Sequence, residues 1–132
     1  MRTIIKCRRI SGGYGEGYAL VSPEPISFFG QIDRATGVVC DEKHPLYGES
    51  IAGKVLVFHS GRGSTVGSYV IYGLAKRGKA PSAMICMEAE PIVAVGAVIA
   101  GIPMVDRPEK NVFRNGVFVK VYADRGLVEV LD

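Results

Sequence analysis

Apolar residues are spaced differently in the two halves of the chain. Up to about residue 50, short runs rich in β-branched and aromatic side chains are separated by glycine and proline. Such runs are typical of strands, and they predict strands over residues 3–10, 18–21, 26–29 and 38–40. The first part of the chain is therefore expected to be β structure.

The spacing becomes helical after an apolar strand that we predict over residues 53–58. Over residues 66–77, apolar side chains recur three and four positions apart, which predicts an amphipathic helix. Either Ser64 or Thr65 can cap the first turn of this helix, and Gly78 can close its last turn. A strand followed directly by a helix is thus expected here.

A second strand and helix follow in the same order. Residues 81–87 form an apolar run typical of a buried strand, and Glu90 with Pro91 can form the cap and first turn of the next helix. This helix is predicted over residues 92–100 and ends at Gly101. Its residues are apolar on all sides, which predicts that it is covered on every side.

The last part of the chain returns to strands. Residues 102–105 predict one more strand of the alternating series, and residues 117–122 and 127–131 predict a closing hairpin. Alternation of strand and helix is typical of α/β proteins. We predict a single α/β domain over residues 1–132, with a mixed or barrel-like β layer and two main helices.

Composition and charge exclude several classes of function. Apolar residues make up 48% of the 132 residues, so the chain is expected to be globular and not disordered. The net charge of +3 is spread along the chain, and the longest apolar run, residues 91–103, is shorter than a bilayer-spanning helix. We therefore expect neither a nucleic-acid partner nor a membrane partner.

The three cysteines, Cys7, Cys40 and Cys86, are far apart in the sequence. Their spacing is not that of a disulfide framework, a zinc site or an iron–sulfur site. We expect a cytoplasmic protein that binds no metal by itself.

A glycine-rich stretch lies between the strand predicted over residues 53–58 and the helix predicted over residues 66–77. Its sequence is Gly61-Arg62-Gly63-Ser64-Thr65. Such a turn leaves the first amides of the helix free to bind an anion, and the helix dipole favours negative charge there. Gly61 and Gly63 let the backbone approach a ligand, and Arg62 can bind a phosphate or carboxylate. The stretch equally fits an ordinary strand-to-helix turn in which Ser64 is the cap.

Of three known glycine-rich motifs, two do not match this stretch and one matches in part. A phosphate-binding P-loop requires a lysine where Gly63 stands, and the nucleophile elbow of hydrolases requires glycines two positions either side of Ser64. Neither requirement is met. A dinucleotide fingerprint fits better, since Gly61, Gly63 and Gly67 follow a strand and Glu88 lies about 20 residues further on. A dinucleotide-binding module therefore stays an alternative.

Ser64 would lie at a helix N-terminus, where a developing alkoxide is stabilised. No electrophile, metal ligand set or general base is close to it in the sequence, and His44 and His59 have no carboxylate partners there. The chain is thus expected to carry only part of an active site, with the missing groups on another polypeptide. The apolar second helix and the pair Phe28-Phe29 predict docking on a larger partner. A non-catalytic interaction module is a further alternative.

Three groups of residues carry a family resemblance: residues 12–20, residues 26–30 with Asp33, Thr36 and Gly37, and residues 61–65. Over nearly the whole chain they resemble the small subunit of the aconitase X family. The resemblance implies a swivelling β/β/α domain, like the mobile domain of aconitases, paired as a heterodimer with a large subunit that holds a 4Fe-4S cluster. It also implies the reaction of archaeal members, which dehydrate (R)-5-phosphomevalonate to trans-anhydromevalonate 5-phosphate in the mevalonate pathway.

The resemblance also implies roles for the glycine-rich stretch. In aconitases, a serine in a Gly-Ser-Ser-Arg loop takes the proton from the substrate carbon. Ser64 falls on that serine and is the expected proton acceptor. Gly61, Arg62, Gly63 and Thr65 are the expected contacts to a small anionic substrate.

Two departures from the family pattern are visible. Thr65-Val66 stands where aconitases have Ser-Arg, so the usual carboxylate-binding arginine is missing and Arg62 is its candidate replacement. Gln31 stands where a second glycine is expected after Gly30. Bacterial relatives dehydrate cis-3-hydroxyproline, often as one fused chain, and this substrate stays an alternative.

Overall fold

The fold is that of a computed structural model, in which residues 1–61 and 66–132 are described. Over these residues the chain forms eight strands, three α-helices and one 3-10 turn. They are β1 (Arg2–Lys6), β2 (Arg8–Ser11), β3 (Tyr14–Val21), α1 (Phe28–Gln31), β4 (Val55–Phe58), α2 (Val66–Lys76), β5 (Ala83–Cys86), α3 (Pro91–Ala100), β6 (Met104–Asp106), β7 (Phe118–Tyr122), the 3-10 turn Ala123–Arg125, and β8 (Leu127–Leu131).

The strands follow the order β1-β8-β7-β3-β4-β5-β6-β2. β3 belongs to two layers, because residues 14–18 pair antiparallel with β7 and residues 19–21 pair parallel with β4. β1 and β2 are separated by Cys7 alone and lie at opposite ends of the order. The sheet therefore closes on itself as a flattened barrel of an antiparallel layer and a mostly parallel layer.

Two inward-facing glycines let β3 cross between the layers. A Cβ atom on Gly15 would collide with the backbone oxygen of Ser82, and one on Gly17 would lie 2.7 Å from the backbone oxygen of Gly53. The Ser82 hydroxyl also donates a hydrogen bond of 2.8 Å to the Glu16 carbonyl. The backbones are thus in direct contact where the layers cross, which explains the alternate glycines of this segment.

Two apolar cores lie on opposite faces of the parallel layer. Val55 and Val57 of β4 face the antiparallel layer, whereas Leu56 and Phe58 face the helices, as the period of two in a strand requires. The protein therefore has three layers, β, β and α. This arrangement confirms the predicted α/β class with a barrel-like β layer and two main helices.

The two main helices pack closely against each other. A Cβ on Gly96 of α3 would lie 2.8 Å from the Ile71 side chain and 3.3 Å from the Cα atom of Ser68, so the small residue permits close approach. This chain alone does not cover α3 on every side, as the prediction requires. Its side chains Val95, Val98 and Ile99 are 52%, 57% and 50% exposed, because α3 lies in the outer layer.

The early strand predictions are partly wrong. Ile26 forms a single parallel bridge to Gly61, and residues 28–31 form a helical turn that contains Gly30 at φ +114°. Residues 38 and 39 likewise form single bridges and no strand. The predicted strand 3–10 is divided at Cys7, where the chain passes from one edge of the sheet to the other.

Within residues 1–61 and 66–132, no helix combines the length and the hydropathy that crossing a bilayer requires.

Candidate functional site

The candidate site lies where strands end and helices begin. β4 ends at Phe58, α2 begins at Val66, and the predicted site residues lie between them. Arg62, Gly63, Ser64 and Thr65 are outside the described residues, so their roles stay predictions. Gly61 is described, and it fixes where the stretch starts.

Gly61 is packed between the segment before α1 and the start of α3. Its neighbour Ser60 accepts a hydrogen bond of 3.1 Å from the Ile26 amide. A Cβ on Gly61 would collide with Val93 and would lie 3.0 Å from the Glu90 Oε1 atom. Glycine is therefore required here by packing, independently of the predicted approach to a ligand.

Two sequence motifs 30 residues apart meet at this point. Ile26 bridges to Gly61, and a Cβ on Gly67 in the first turn of α2 would lie 3.9 Å from the Phe28 Cβ. Phe28 is buried and packs against Phe58 with ring centroids 6.0 Å apart. Only one residue of the pair predicted to dock on a partner is available for it, since Phe29 is 49% exposed and Phe28 is 2% exposed.

The role of Gln31 follows from its contacts. Its Oε1 atom accepts a hydrogen bond of 2.8 Å from the Ser27 amide. Its Nε2 atom donates a hydrogen bond of 3.0 Å to Asp41 Oδ2. The glutamine side chain therefore links the turn at residues 27–31 to the following loop by hydrogen bonds. A glycine at this position could not form them.

Glu90 is the N-cap of α3. Its two carboxylate oxygens accept hydrogen bonds of 3.0 Å from the Ile92 amide and 2.7 Å from the Val93 amide, and Pro91 occupies the first turn. The predicted cap and the closing Gly101, which has φ +72°, are confirmed. Both oxygens of Glu90 are engaged by helix amides, so this carboxylate is not paired with Glu88.

A network of charges lies beside this helix start, at the ends of β5 and β6. Asp106 is fully buried and accepts hydrogen bonds of 2.8 and 2.7 Å from the Arg8 guanidinium and one of 2.9 Å from the Ala89 amide. Burial alone would raise the pKa of Asp106, but these hydrogen bonds hold it below its ordinary value. Sequence reasoning missed this pair because its members are 98 residues apart.

Glu88, the expected ribose ligand of the dinucleotide alternative, belongs to the same network. Arg107 donates to it through Nε at 3.1 Å and Nη2 at 2.9 Å, and lowers the pKa of this carboxyl. Arg107 has φ +50°, in the left-handed region. The carboxylate oxygens of Glu88 are therefore occupied by a guanidinium, which is unfavourable for binding ribose hydroxyls.

Replacing Asp106 by asparagine is expected to lower the free energy of unfolding at pH 7 by about 2 kcal/mol, because charged hydrogen bonds to Arg8 are lost. Since the folded-state pKa of Asp106 is depressed, its contribution is complete above about pH 4 and is lost as pH falls further. Urea unfolding at a series of pH values should show the two proteins converging below pH 4. A constant difference down to pH 2 would contradict this assignment.

One of the two histidines and two of the three cysteines are buried or partly buried. His44 is buried, accepts a hydrogen bond of 3.1 Å from the Leu46 amide and contacts Ser22 Oγ, whereas His59 is exposed. Burial raises the pKa of Cys7 and of Cys86 to about 12, which keeps both thiols protonated. Among the described residues, no three His, Cys, Asp or Glu side chains could hold a metal ion together.

The described part of the site therefore provides a packed frame around the glycine-rich stretch and few groups that could take part in a reaction. Gly61, the start of α3 and the turn at residues 27–31 surround the point where the glycine-rich stretch begins. A helix N-terminus favours an anionic ligand, and here this applies to α2, because the first amides of α3 are already bound by Glu90.

Comparisons with known proteins agree with this description. Residues 4–130 match the family model of the aconitase X swivel domain. The phosphomevalonate dehydratase small subunit of Methanothrix thermoacetophila is 58% identical over 130 residues, which cover 97% of this chain and 95% of the relative. The protein of the same name from Methanothermobacter thermautotrophicus is 54% identical over 127 residues, which cover 94% and 97%.

A solved structure gives the same result. The crystal structure of Thermococcus kodakaraensis aconitase X in its holo-form superposes with a TM-score of 0.95 at 52% identity. The match covers 98% of this chain and 99% of the other.

Proposed function

Because the chain belongs to the aconitase X swivel domain family, we propose that it is the small subunit of a hydro-lyase acting on (R)-5-phosphomevalonate. The product is trans-anhydromevalonate 5-phosphate. The observation that carries this proposal is the identity of 53–58% to relatives named phosphomevalonate dehydratase small subunit, over nearly the full length of both chains.

In the proposed reaction, Ser64 accepts the proton from the substrate carbon. The C–H electron pair forms the double bond, the C–O bond breaks, and the hydroxyl leaves, so the substrate loses one water with no net oxidation. The start of α2 follows this stretch directly, and a helix N-terminus favours a negatively charged substrate. The start of α3 does not contribute, because the Glu90 carboxylate already accepts its first amides. Gly61, Arg62, Gly63 and Thr65 contact that substrate, with Arg62 as the cationic group.

The partner is a large aconitase X-type subunit that carries a 4Fe-4S cluster. The described residues of this chain do not fit such a cluster, since the buried thiols Cys7 and Cys86 are protonated and form no ligand group. We therefore assign the cluster to the large subunit, where it would supply a Lewis acid for the departing hydroxyl. This chain supplies the base, and the pair acts as a heterodimer.

The direct test is co-expression with the large subunit under anaerobic conditions, followed by assays on phosphomevalonate and cis-3-hydroxyproline. Loss of water from phosphomevalonate is expected, and only when both chains are present. Each chain assayed alone is the control. Activity on cis-3-hydroxyproline alone would show that phosphomevalonate is not the substrate. Inactivity on both substrates would overturn the proposal.

A further inference from the structure

A cavity of about 560 Å³ lies between α2 and the loop at residues 33–35, which follows α1. Arg34 borders it on the loop side, and Tyr69 and Arg77 border it on the helix side. The volume is within the range of small-molecule sites, which is about 300–1,000 Å³. The proposed reaction gives none of these residues a role.

The cavity has an excess of positive charge. Among the residues that the structure describes, no carboxylate forms an ion pair with the guanidinium of Arg34 or of Arg77. The Arg77 side chain donates one long hydrogen bond, of 3.3 Å, to the Gly73 carbonyl of its own helix. Because a guanidinium group presents several donors in one plane, two such groups beside one cavity can bind an oxyanion together.

The third charged group that borders the cavity, Asp33, is engaged by its own loop. Its Oδ1 atom accepts hydrogen bonds of 2.8 and 3.0 Å from the amides at positions 35 and 36. The Gly37 amide donates to the Asp33 carbonyl at 2.9 Å, and the Ile51 amide donates to the Gly37 carbonyl at 2.9 Å. These hydrogen bonds hold the turn that contains Arg34, so the loop side of the cavity is formed without a ligand.

An apolar groove adjoins the cavity at Tyr69. This tyrosine borders both spaces, and the groove continues between α2 and α3 along Ile92, Val95 and Ile99. The volume of the groove is about 300 Å³, and Tyr69 is 72% exposed, so its ring is not part of the core. One side of this tyrosine is therefore positively charged and the other side is apolar.

We propose that the cavity and the groove together bind a phosphate monoester that carries a short apolar chain. The phosphate lies between Arg34 and Arg77, and the chain passes Tyr69 into the groove. A phosphate monoester has a charge of about −1.5 to −2 at pH 7, which two guanidinium groups balance. The chain covers apolar side chains that α3 otherwise exposes to water. This inference does not depend on the reaction that the enzyme catalyses.

The test is isothermal titration of the full chain, and of its complex with the large subunit, with inorganic phosphate, hexyl phosphate and hexanol. Hexyl phosphate is expected to bind about 10-fold more tightly than inorganic phosphate, because part of its chain leaves water. Hexanol is expected to show no measurable binding. Equal affinity for the two phosphates would overturn the inference. Loss of binding in the complex would also overturn it, because the large subunit would then cover the site.

The double variant Arg34→Gln/Arg77→Gln tests the contribution of charge. It is expected to weaken the binding of both phosphates by about 10-fold or more, because charged hydrogen bonds are lost. Lys43→Gln/Lys110→Gln removes two exposed charges that do not border the cavity, and it is the matched control for net charge. Equal weakening in the two double variants would show non-specific attraction only and would overturn the inference.

A single variant, Ile99→Ser, tests the contribution of the groove. It is expected to weaken the binding of hexyl phosphate by about 5-fold and to leave that of inorganic phosphate unchanged. Val98→Ser is its control, because Val98 is equally exposed on α3 but does not border the groove. Unchanged affinity of Ile99→Ser for hexyl phosphate, or an equal loss in Val98→Ser, would contradict the proposed position of the chain. These titrations measure binding and not turnover, so an error in the proposed substrate would not alter their outcome.

Discussion

Replacing Ser64 by alanine is expected to lower kcat of the two-subunit enzyme by about 10²- to 10⁴-fold, the usual contribution of a general base. The substitution removes the proposed proton acceptor and adds no bulk. KM should change little, because the hydroxyl acts on the reacting carbon and Arg62 still binds the anionic part of the substrate. Steady-state kinetics on phosphomevalonate with the purified complex measures both constants.

A matched substitution separates chemistry from folding. Ser82→Ala removes a hydroxyl that donates to the Glu16 and Lys54 carbonyls where the β layers cross. It should lower stability slightly and leave kcat near the wild-type value. Gel filtration should show that both variants still bind the large subunit. Turnover of Ser64→Ala within about twofold of the wild type would exclude this serine as the proton acceptor.

Replacing Gly15 by alanine is expected to destabilise the fold by about 3 kcal/mol or to prevent folding. The added Cβ would collide with the Ser82 carbonyl, a backbone atom that cannot rotate away as a side chain would. Overpacking of this kind usually costs about 1–3 kcal/mol, and a backbone contact lies at the upper end of that range. Urea unfolding followed by circular dichroism gives the free energy.

Glu16→Ala is the control for this substitution, because Glu16 is the exposed neighbour on the outer face of β3. Its free energy of unfolding should stay within about 1 kcal/mol of the wild type. If the free energy of unfolding of Gly15→Ala equalled that of this control, close contact between the layers would not be the reason for the glycine.

The regular elements of the middle of the chain could be predicted because their signals are local. A few neighbouring residues determine each of these signals, which are the helical spacing before Lys76, the cap Glu90 and the closing Gly101. The bridges of Ile26 and Val39 could not be predicted, since their partners lie far along the chain or across a turn. A β-branched run alone does not distinguish a strand from an extended segment that pairs once.

The site shows the same division. Gly61 and the helix starts were found from sequence spacing, whereas the buried pair Arg8 and Asp106 joins residues 98 positions apart. The side of α3 that this chain leaves exposed could not be identified from the sequence, because hydropathy reports that a surface is apolar and not whether this chain covers it. The proton acceptor itself was assigned by resemblance to a family and not by geometry.

The continuous path of β1, Cys7 and β2, and the passage of β3 from one layer to the other, have a mechanical consequence. The two layers cannot slide or twist independently, because either motion would break the hydrogen bonds of strands that both layers share. The domain is therefore expected to move as one rigid body.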